Sequence, residues 1–153
     1  MPLPRLLRGA AAALFLLIPA TVSEQTRTAT GTFDVQLTPA AADSGVSIGR
    51  MAIAKQFHGD IQGTSAGQML AMTTSVDGSA GYVAMEEVRA TVHGRSGTFV
   101  LQHSGTMQRG VATLMVSVVP DSGTGELAGL AGTMAITITG REHRYTFTYT
   151  IAP

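Results

Sequence analysis

The feature that most constrains this 153-residue chain is an alternation of apolar and polar residues that restarts after each glycine-containing turn. Alternation with a period of two places successive side chains on opposite faces of a β-strand. No segment after residue 23 keeps the 3.6-residue period of a helix for long. The chain is therefore predicted to be all-β.

The pattern predicts eight short strands, near residues 29–37, 48–57, 61–72, 80–93, 97–107, 111–119, 133–140 and 144–151. Turn signals separate the predicted strands, among them Asp43-Ser-Gly45, Asp77-Gly78 and Arg109-Gly110. Many short strands with regularly spaced turns are typical of an antiparallel barrel or sandwich.

The faces of neighbouring strands can be compared through the three hairpins near the end of the chain. Turns at 94–97, 108–111 and 140–143 pair position 93 with 98, 107 with 112, and 138 with 145. In all three hairpins the apolar faces then fall on one side of the sheet. Because a slip of one residue would move a whole face to the other side, this agreement supports the strand assignment.

The first 23 residues read as a secretory signal. Arg5 and Arg8 form a positive region, Ala10 to Ile18 form a compact apolar run, and small residues lead to Ser23. We expect a short mobile leader over 24–28 and one domain over 29–153, secreted or periplasmic. The alternative is a retained membrane anchor, although the apolar run is shorter than the roughly 20 residues that span a bilayer.

Composition narrows the class of partner. The formal net charge is zero and no basic run occurs, so nucleic acid is not expected, because binding it requires a clustered positive face. After signal removal no membrane contact is expected. A hydrophobic content of 44% with 13% charged residues is typical of a folded domain.

The glycine-rich stretch Val119–Gly132 has two interpretations, a phosphate-binding loop or a corner of a β-structure. A dinucleotide loop needs G-x-G-x-x-G running into a helix, but Ala128 stands at the third glycine and a strand-like segment follows. The corner is therefore preferred, with Leu127 and Leu130 plugging one end of the structure.

Two other motifs are weak. Gly63-Thr-Ser65-Ala-Gly67 matches the nucleophile elbow of serine hydrolases, but that elbow requires a helix after the strand. The four histidines show no H-x-H or H-x-x-E spacing, so neither a metal nor another cofactor is predicted, and a metal held by residues of separate strands is the weakly supported alternative.

The candidate catalytic residues are Glu86 and His103. The predicted register puts His103 opposite Val88 and diagonal to Glu86 on the apolar face, with Tyr82 on the same face as an orienting hydroxyl. Burial would raise the pKa of Glu86 toward neutrality unless His103 or an arginine pairs with it, as suits a general acid or base. The alternative is a structural hydrogen bond that fixes strand register.

The remaining candidates line a cavity on the same face. Lys55 is taken as structural, although it shares a face with Met51, Ile53 and Phe57. The methionines would serve either as an adaptable lining or as core filling. The predicted ligand-binding residues are Tyr82, Val88, Phe99, Leu101, Tyr145, Phe147 and Tyr149.

Several motifs together resemble a bacterial family of unknown function, DUF3224, whose members are similar to allene oxide cyclase and dirigent barrels. The motifs are Phe57-His-Gly-Asp-Ile-Gln-Gly-Thr-Ser-Ala-Gly67, Gly81-Tyr-Val-Ala-Met-Glu86, His93-Gly-Arg-Ser-Gly-Thr-Phe-Val-Leu-Gln-His103 and Val119-Pro-Asp-Ser-Gly-Thr-Gly-Glu-Leu-Ala-Gly129. The resemblance implies an eight-stranded antiparallel barrel of the allene oxide cyclase type. It also implies a cavity for an apolar molecule and assembly into homo-oligomers.

Three functions follow as expectations. The first is binding of a small apolar molecule in the barrel, with cofactor-free cyclisation or isomerisation if chemistry occurs. The second is a carrier or scavenger without catalysis. The third is a structural barrel filled by side chains, since eight strands enclose just enough space for side chains or one small ligand.

Overall fold

The computed structural model describes residues 25–41 and 45–152 and shows eight antiparallel strands. They are β1 (Arg27–Pro39), β2 (Gly49–Gly59), β3 (Ile61–Thr73), β4 (Ala80–Val92), β5 (Arg95–Gln108), β6 (Val111–Val118), β7 (Leu130–Thr139) and β8 (Glu142–Ile151). Each strand pairs with the next, and β8 pairs with β1. The sheet therefore closes into the predicted eight-stranded barrel.

Every predicted strand overlaps an observed one, and the largest difference is at β7, which begins at Leu130 rather than at 133. The mobile leader expected over 24–28 overlaps the first strand. Arg27 and Thr28 already belong to β1 and pair with Tyr149 and Thr148 of β8, because closing the barrel gives this edge a partner. The predicted signal and Asp43 lie outside the described residues.

The hairpin registers keep the predicted parity, but two are shifted. The β4–β5 turn is His93-Gly94, with φ of 47° and 80°, and not the predicted turn at 94–97. His103 is consequently opposite Ala84 instead of Val88 and remains diagonal to Glu86. The β7–β8 hairpin is also tighter than predicted, because it turns at 140–141. The β5–β6 register is as predicted.

Gly97 explains the first shift. The prediction assigned this glycine to the turn, but a two-residue turn with positive φ at both positions needs only His93 and Gly94. Gly97 is required elsewhere, since a Cβ there would overlap the carbonyl oxygen of Thr124 and lie 3.2 Å from Leu127 Cβ. The glycine allows the connection after β6 to pack against β5.

That connection closes one end of the barrel. It contains a short 3-10 helix, Gly125–Leu127, and is held by hydrogen bonds such as the one from Thr124 N to Thr98 O, 2.8 Å. Leu127 and Leu130 are buried against the core, as predicted for a corner. Within the described ranges, no helix is long and apolar enough to cross a membrane.

The interior divides into two parts. In the packed half, next to this plug, large side chains fill the barrel: Phe57, Ile61, Val88, Val92, Phe99, Leu101, Tyr145, Phe147 and Tyr149. Phe99 and Phe147 stack with centroids 5.8 Å apart, and Phe147 and Tyr149 stack at 5.1 Å. The open half, at the other end, carries smaller side chains and methionines.

The open half also has an incomplete wall. Over the described residues, β6 and β7 share a single paired position, Ser117 with Thr133. No other position of β6 pairs with β7 in the described ranges, although the two strands remain neighbours in the closed barrel. The closed ladder thus has a seam beside the open half.

Candidate functional site

A cavity of about 530 Å³ occupies the open half. Its walls come from β2 to β7 and consist mainly of small residues and methionines. The lining residues are Ser47, Gly49, Met51, Met69, Ala71, Met72, Thr73, Ala80, Gly81, Tyr82, Gly105, Thr106, Met107, Ala112, Thr113, Leu114 and Ile138. No charged side chain is among these described residues, so the cavity suits an apolar occupant.

The seam between β6 and β7 borders this cavity. Leu114 of β6 and Ile138 of β7 both line it and are 40% and 62% exposed. The unpaired part of the β6–β7 seam therefore lies beside the cavity.

Tyr82 bounds the cavity on its inner side. The residue is paired with Gly105, and a Cβ on Gly105 would lie 2.8 Å from Tyr82 Cδ1, so the ring occupies the space that the glycine leaves. Burial raises the pKa of the Tyr82 phenol, and the negative charge of Glu86 raises it further. Tyr82 therefore stays protonated at neutral pH.

Beneath Tyr82 lies a cluster that we call the polar belt: Lys55, Ser65, Glu86 and His103, on β2, β3, β4 and β5. Their side chains all point into the barrel, and all four residues are buried. Lys55 pairs directly with Ser65. Glu86 pairs with Gly67, where a Cβ would lie 2.8 Å from Glu86 Cα, so glycine is needed for the strands to fit here.

Lys55 and Glu86 form a buried ion pair, with Lys55 Nζ 2.7 Å from Glu86 Oε2. The ammonium also lies 4.7 Å from the ring centre of Phe33, within the range of a cation–π contact. The positive partner of Glu86 is thus Lys55, whereas the sequence suggested His103 or an arginine.

His103 lies next to the pair, with Nε2 3.5 Å from Glu86 Oε2. Burial lowers the pKa of His103 to about 4, the charge of Lys55 lowers it as well, and Glu86 opposes both. His103 is consequently neutral at pH 7, so its ring has one donor and one acceptor nitrogen.

The polar belt has unsatisfied hydrogen-bonding capacity. Ser65 Oγ, both carboxylate oxygens of Glu86 and His103 Nε2 have no hydrogen-bond partner among the described residues. The 2.7 Å contact with Lys55 joins opposite charges whatever its angle, so Oε2 is compensated and Oε1 is the uncompensated oxygen. Unpartnered polar atoms are costly in a protein interior, and such a group suggests a site that takes a polar partner.

The structure brings together three of the predicted site residues, Tyr82, Glu86 and His103. The other six lie in the packed half and not around the cavity: Val88, Phe99, Leu101, Tyr145, Phe147 and Tyr149. They pack against one another and against Leu127 and Leu130 in the core, so none of them borders this cavity, and their assignment as ligand-binding residues stays a prediction.

The hydroxyls of Tyr145 and Tyr149 have structural partners. Tyr145 OH accepts a hydrogen bond from Ile61 N, 2.8 Å, and donates one to His58 O, 3.1 Å. Burial raises the pKa of this phenol. Tyr149 OH lies 2.7 Å from His93 Nδ1. Both tyrosines therefore fasten the packed half at neighbouring hairpins.

Sequence reasoning missed the role of Lys55, and it considered Ser65 only within the nucleophile-elbow motif that it set aside. The parity of Lys55 with Met51, Ile53 and Phe57 was a usable signal, because a lysine on an apolar face needs a buried partner. Ser65 lies in β3, where apolar residues occur on both faces.

Among the described residues, no group of three or more His, Cys, Asp or Glu side chains could hold a metal ion.

Comparisons with known proteins agree with this architecture. Residues 29–149 match the family model described as "Protein of unknown function (DUF3224)". A crystal structure of a protein with unknown function from the same family, from Shewanella oneidensis MR-1, is 49% identical with a TM-score of 0.80. The match covers 84% of this chain and 99% of that chain. The search of curated proteins gave no match.

Proposed function

Because the chain belongs to the DUF3224 family, whose function is unknown, we propose from its own cavity that it binds one small, largely apolar molecule. The observation that carries this proposal is the cavity of about 530 Å³ at the open half. Its size falls within the roughly 300–1,000 Å³ of small-molecule sites, and its lining combines apolar side chains with a few hydroxyls.

The methionines support binding of a flexible or variable ligand. Met51, Met69 and Met107 project into the barrel from three strands, and their unbranched side chains adapt to irregular shapes. Tyr82 supplies a phenol at the inner end. A carrier or binding protein is the function that this arrangement favours.

A titration with the neutral fluorescent dye Nile red tests the proposal. Ala71→Phe places a ring into the cavity and is expected to weaken dye binding at least tenfold. Ala66→Phe is the matched control, because Ala66 is on the same strand but exposed on the outer face. Equal affinities in both variants, or no saturable binding by the unaltered protein, would contradict the proposal.

The polar belt favours a second candidate, cofactor-free isomerisation or cyclisation of the bound molecule. Glu86 and His103 would then be the acid–base pair, and Tyr82 would orient the substrate. The ion pair with Lys55 and the neutral state of His103 weaken this candidate relative to binding alone. Once a ligand is known, Glu86→Gln separates them, because an enzyme loses turnover and retains binding, while a carrier shows no turnover in either form.

We also propose that the protein is exported, on the basis of the N-terminal Arg5–Arg8 region and the apolar run that follows. N-terminal sequencing of protein recovered outside the cytoplasm should give a start near residue 24. A full-length chain recovered in the membrane fraction would instead indicate a retained anchor.

A further inference from the structure

We propose that the polar belt binds the neutral hydroxyl end of the molecule whose apolar part occupies the cavity. This inference rests on the proposed function and narrows the ligand to an apolar alcohol. The belt lies directly below the inner end of the cavity. His103 is two residues deeper than Gly105 on β5, a distance of roughly 7 Å along the strand.

The unpartnered atoms of the belt define the chemistry of the group that it would take. Glu86 Oε1 requires a donor, and His103 Nε2 and Ser65 Oγ each require a partner of either kind. A hydroxyl has one proton to donate and lone pairs to accept, so one such group can satisfy an acceptor and a donor together. An alkyl or halogen end offers no donor and would leave Glu86 Oε1 unsatisfied.

The charges of the polar belt disfavour a ligand with an ionised end. Lys55 and Glu86 already compensate each other at 2.7 Å, so the belt as a whole is neutral while His103 is neutral. A carboxylate end would place a second negative charge beside Glu86, and an ammonium end would place a second positive charge beside Lys55. Either charge would be buried without a partner, which is strongly unfavourable in this interior.

Access to the belt passes Tyr82. The Glu86 side chain is 0% exposed and that of His103 is 5% exposed, whereas Tyr82 is half-buried and lines the cavity. The hydroxyl end therefore reaches Glu86 only when the Tyr82 ring shifts from its place over Gly105. Tyr82 stands at the boundary between the apolar and polar parts of one continuous site.

A panel of ligands with one alkyl chain and different ends tests the inference. Decanol, chlorodecane, decanoate and decylamine would compete with Nile red for the full chain at pH 7. Decanol is expected to bind about tenfold tighter than chlorodecane, as a hydrogen bond to a charged group allows, and both ions are expected to bind more weakly than decanol.

Variants of the belt show whether it causes the preference. His103→Leu is expected to bring the decanol-to-chlorodecane affinity ratio toward one, whereas Ser104→Ala, exposed on the outer face of β5, should leave it unchanged. Ser65→Ala removes one hydroxyl only and should lower the affinity ratio in part. This variant replaces His103→Leu in the test if His103→Leu does not fold.

The outcomes separate the inference from the proposed function. If decanol and chlorodecane bind equally, or if decanoate binds tightest, the cavity still binds apolar molecules but the inference about the belt is overturned. Equal binding would indicate a belt that holds internal water only. If no compound displaces the dye and the dye itself does not bind, both proposals fail.

Discussion

The two halves of the barrel are built from the same eight strands but use their interiors differently. In the packed half, stacked aromatic rings and the Leu127–Leu130 plug leave no room for a guest. In the open half, small residues and methionines surround a cavity of about 530 Å³, and the β6–β7 ladder is interrupted. One end thus supplies stability, and this allows the other end to remain open.

The sharpest test of this division truncates one side chain in each half. Phe147→Ala in the packed half is expected to lower the free energy of unfolding by about 3–5 kcal/mol, because it opens a cavity that the neighbours fill only in part. Met69→Ala in the open half should cost about 1 kcal/mol or less, since it enlarges a space that already exists. Urea denaturation measures both, and similar losses would refute the division.

The polar belt lies between the halves and gives the next effect. Glu86→Gln leaves the Lys55 ammonium buried without its counter-charge and is expected to cost about 3–5 kcal/mol. The double variant Lys55→Met, Glu86→Gln removes both charges and should recover most of that loss. A thermodynamic cycle over the single and double variants measures the coupling, and strictly additive losses would show that the pair contributes nothing.

The sequence predicts the strands of the barrel but not the division of its interior into a packed half and an open half. Period-two alternation identified every strand and, from β4 to β8, the inward face, because one buried face fixes parity. It did not distinguish the halves, because Phe99 and Met107 have the same parity on β5 but opposite surroundings. That difference comes from the plug, because the contact of Leu127 with Gly97 of β5 joins distant parts of the chain.

The belt shows the same limit. Glu86 and His103 could be placed on one face and diagonal to each other from β4 and β5 alone. Lys55 is on β2, and its ammonium reaches Glu86 of β4 across β3, where Ser65 and Gly67 leave space. Pairing of two adjacent strands predicts neighbours on those strands, whereas this contact depends on the registers of two successive strand pairs.

The pH dependence of stability tests whether the polar belt holds His103 in its neutral form. The pKa of His103 is about 4 in the folded chain, against an ordinary value near 6.5. Between these values the unfolded chain binds a proton that the folded chain does not, so stability falls as the pH drops from 6.5 to 4. The contribution is on the order of 3 kcal/mol.

The measurement compares the pH profile of unfolding with that of His103→Gln, which cannot take up the proton. For the variant, the slope of the free energy of unfolding against pH should be smaller in this window, by up to the equivalent of one bound proton. Ser104→Ala, exposed on the outer face of β5, removes no titratable group and should leave the profile unchanged. Parallel profiles for the unaltered protein and His103→Gln would show that His103 is not held neutral.

The smallest effect concerns single hydroxyls in the two halves. Tyr145→Phe removes the acceptor of Ile61 N–H and the donor to His58 O, and it is expected to cost about 1–3 kcal/mol. Tyr82→Phe keeps the ring over Gly105 and should change stability by about 0.5 kcal/mol or less, since its half-buried hydroxyl is beside the cavity. Thermal unfolding measures both losses of stability.

The affinity for decanol should show the reverse order of effects. Tyr82→Phe should alter that affinity while Tyr145→Phe does not, because only Tyr82 meets the ligand. If both variants behave alike in both measurements, stability and binding are not divided between the two halves.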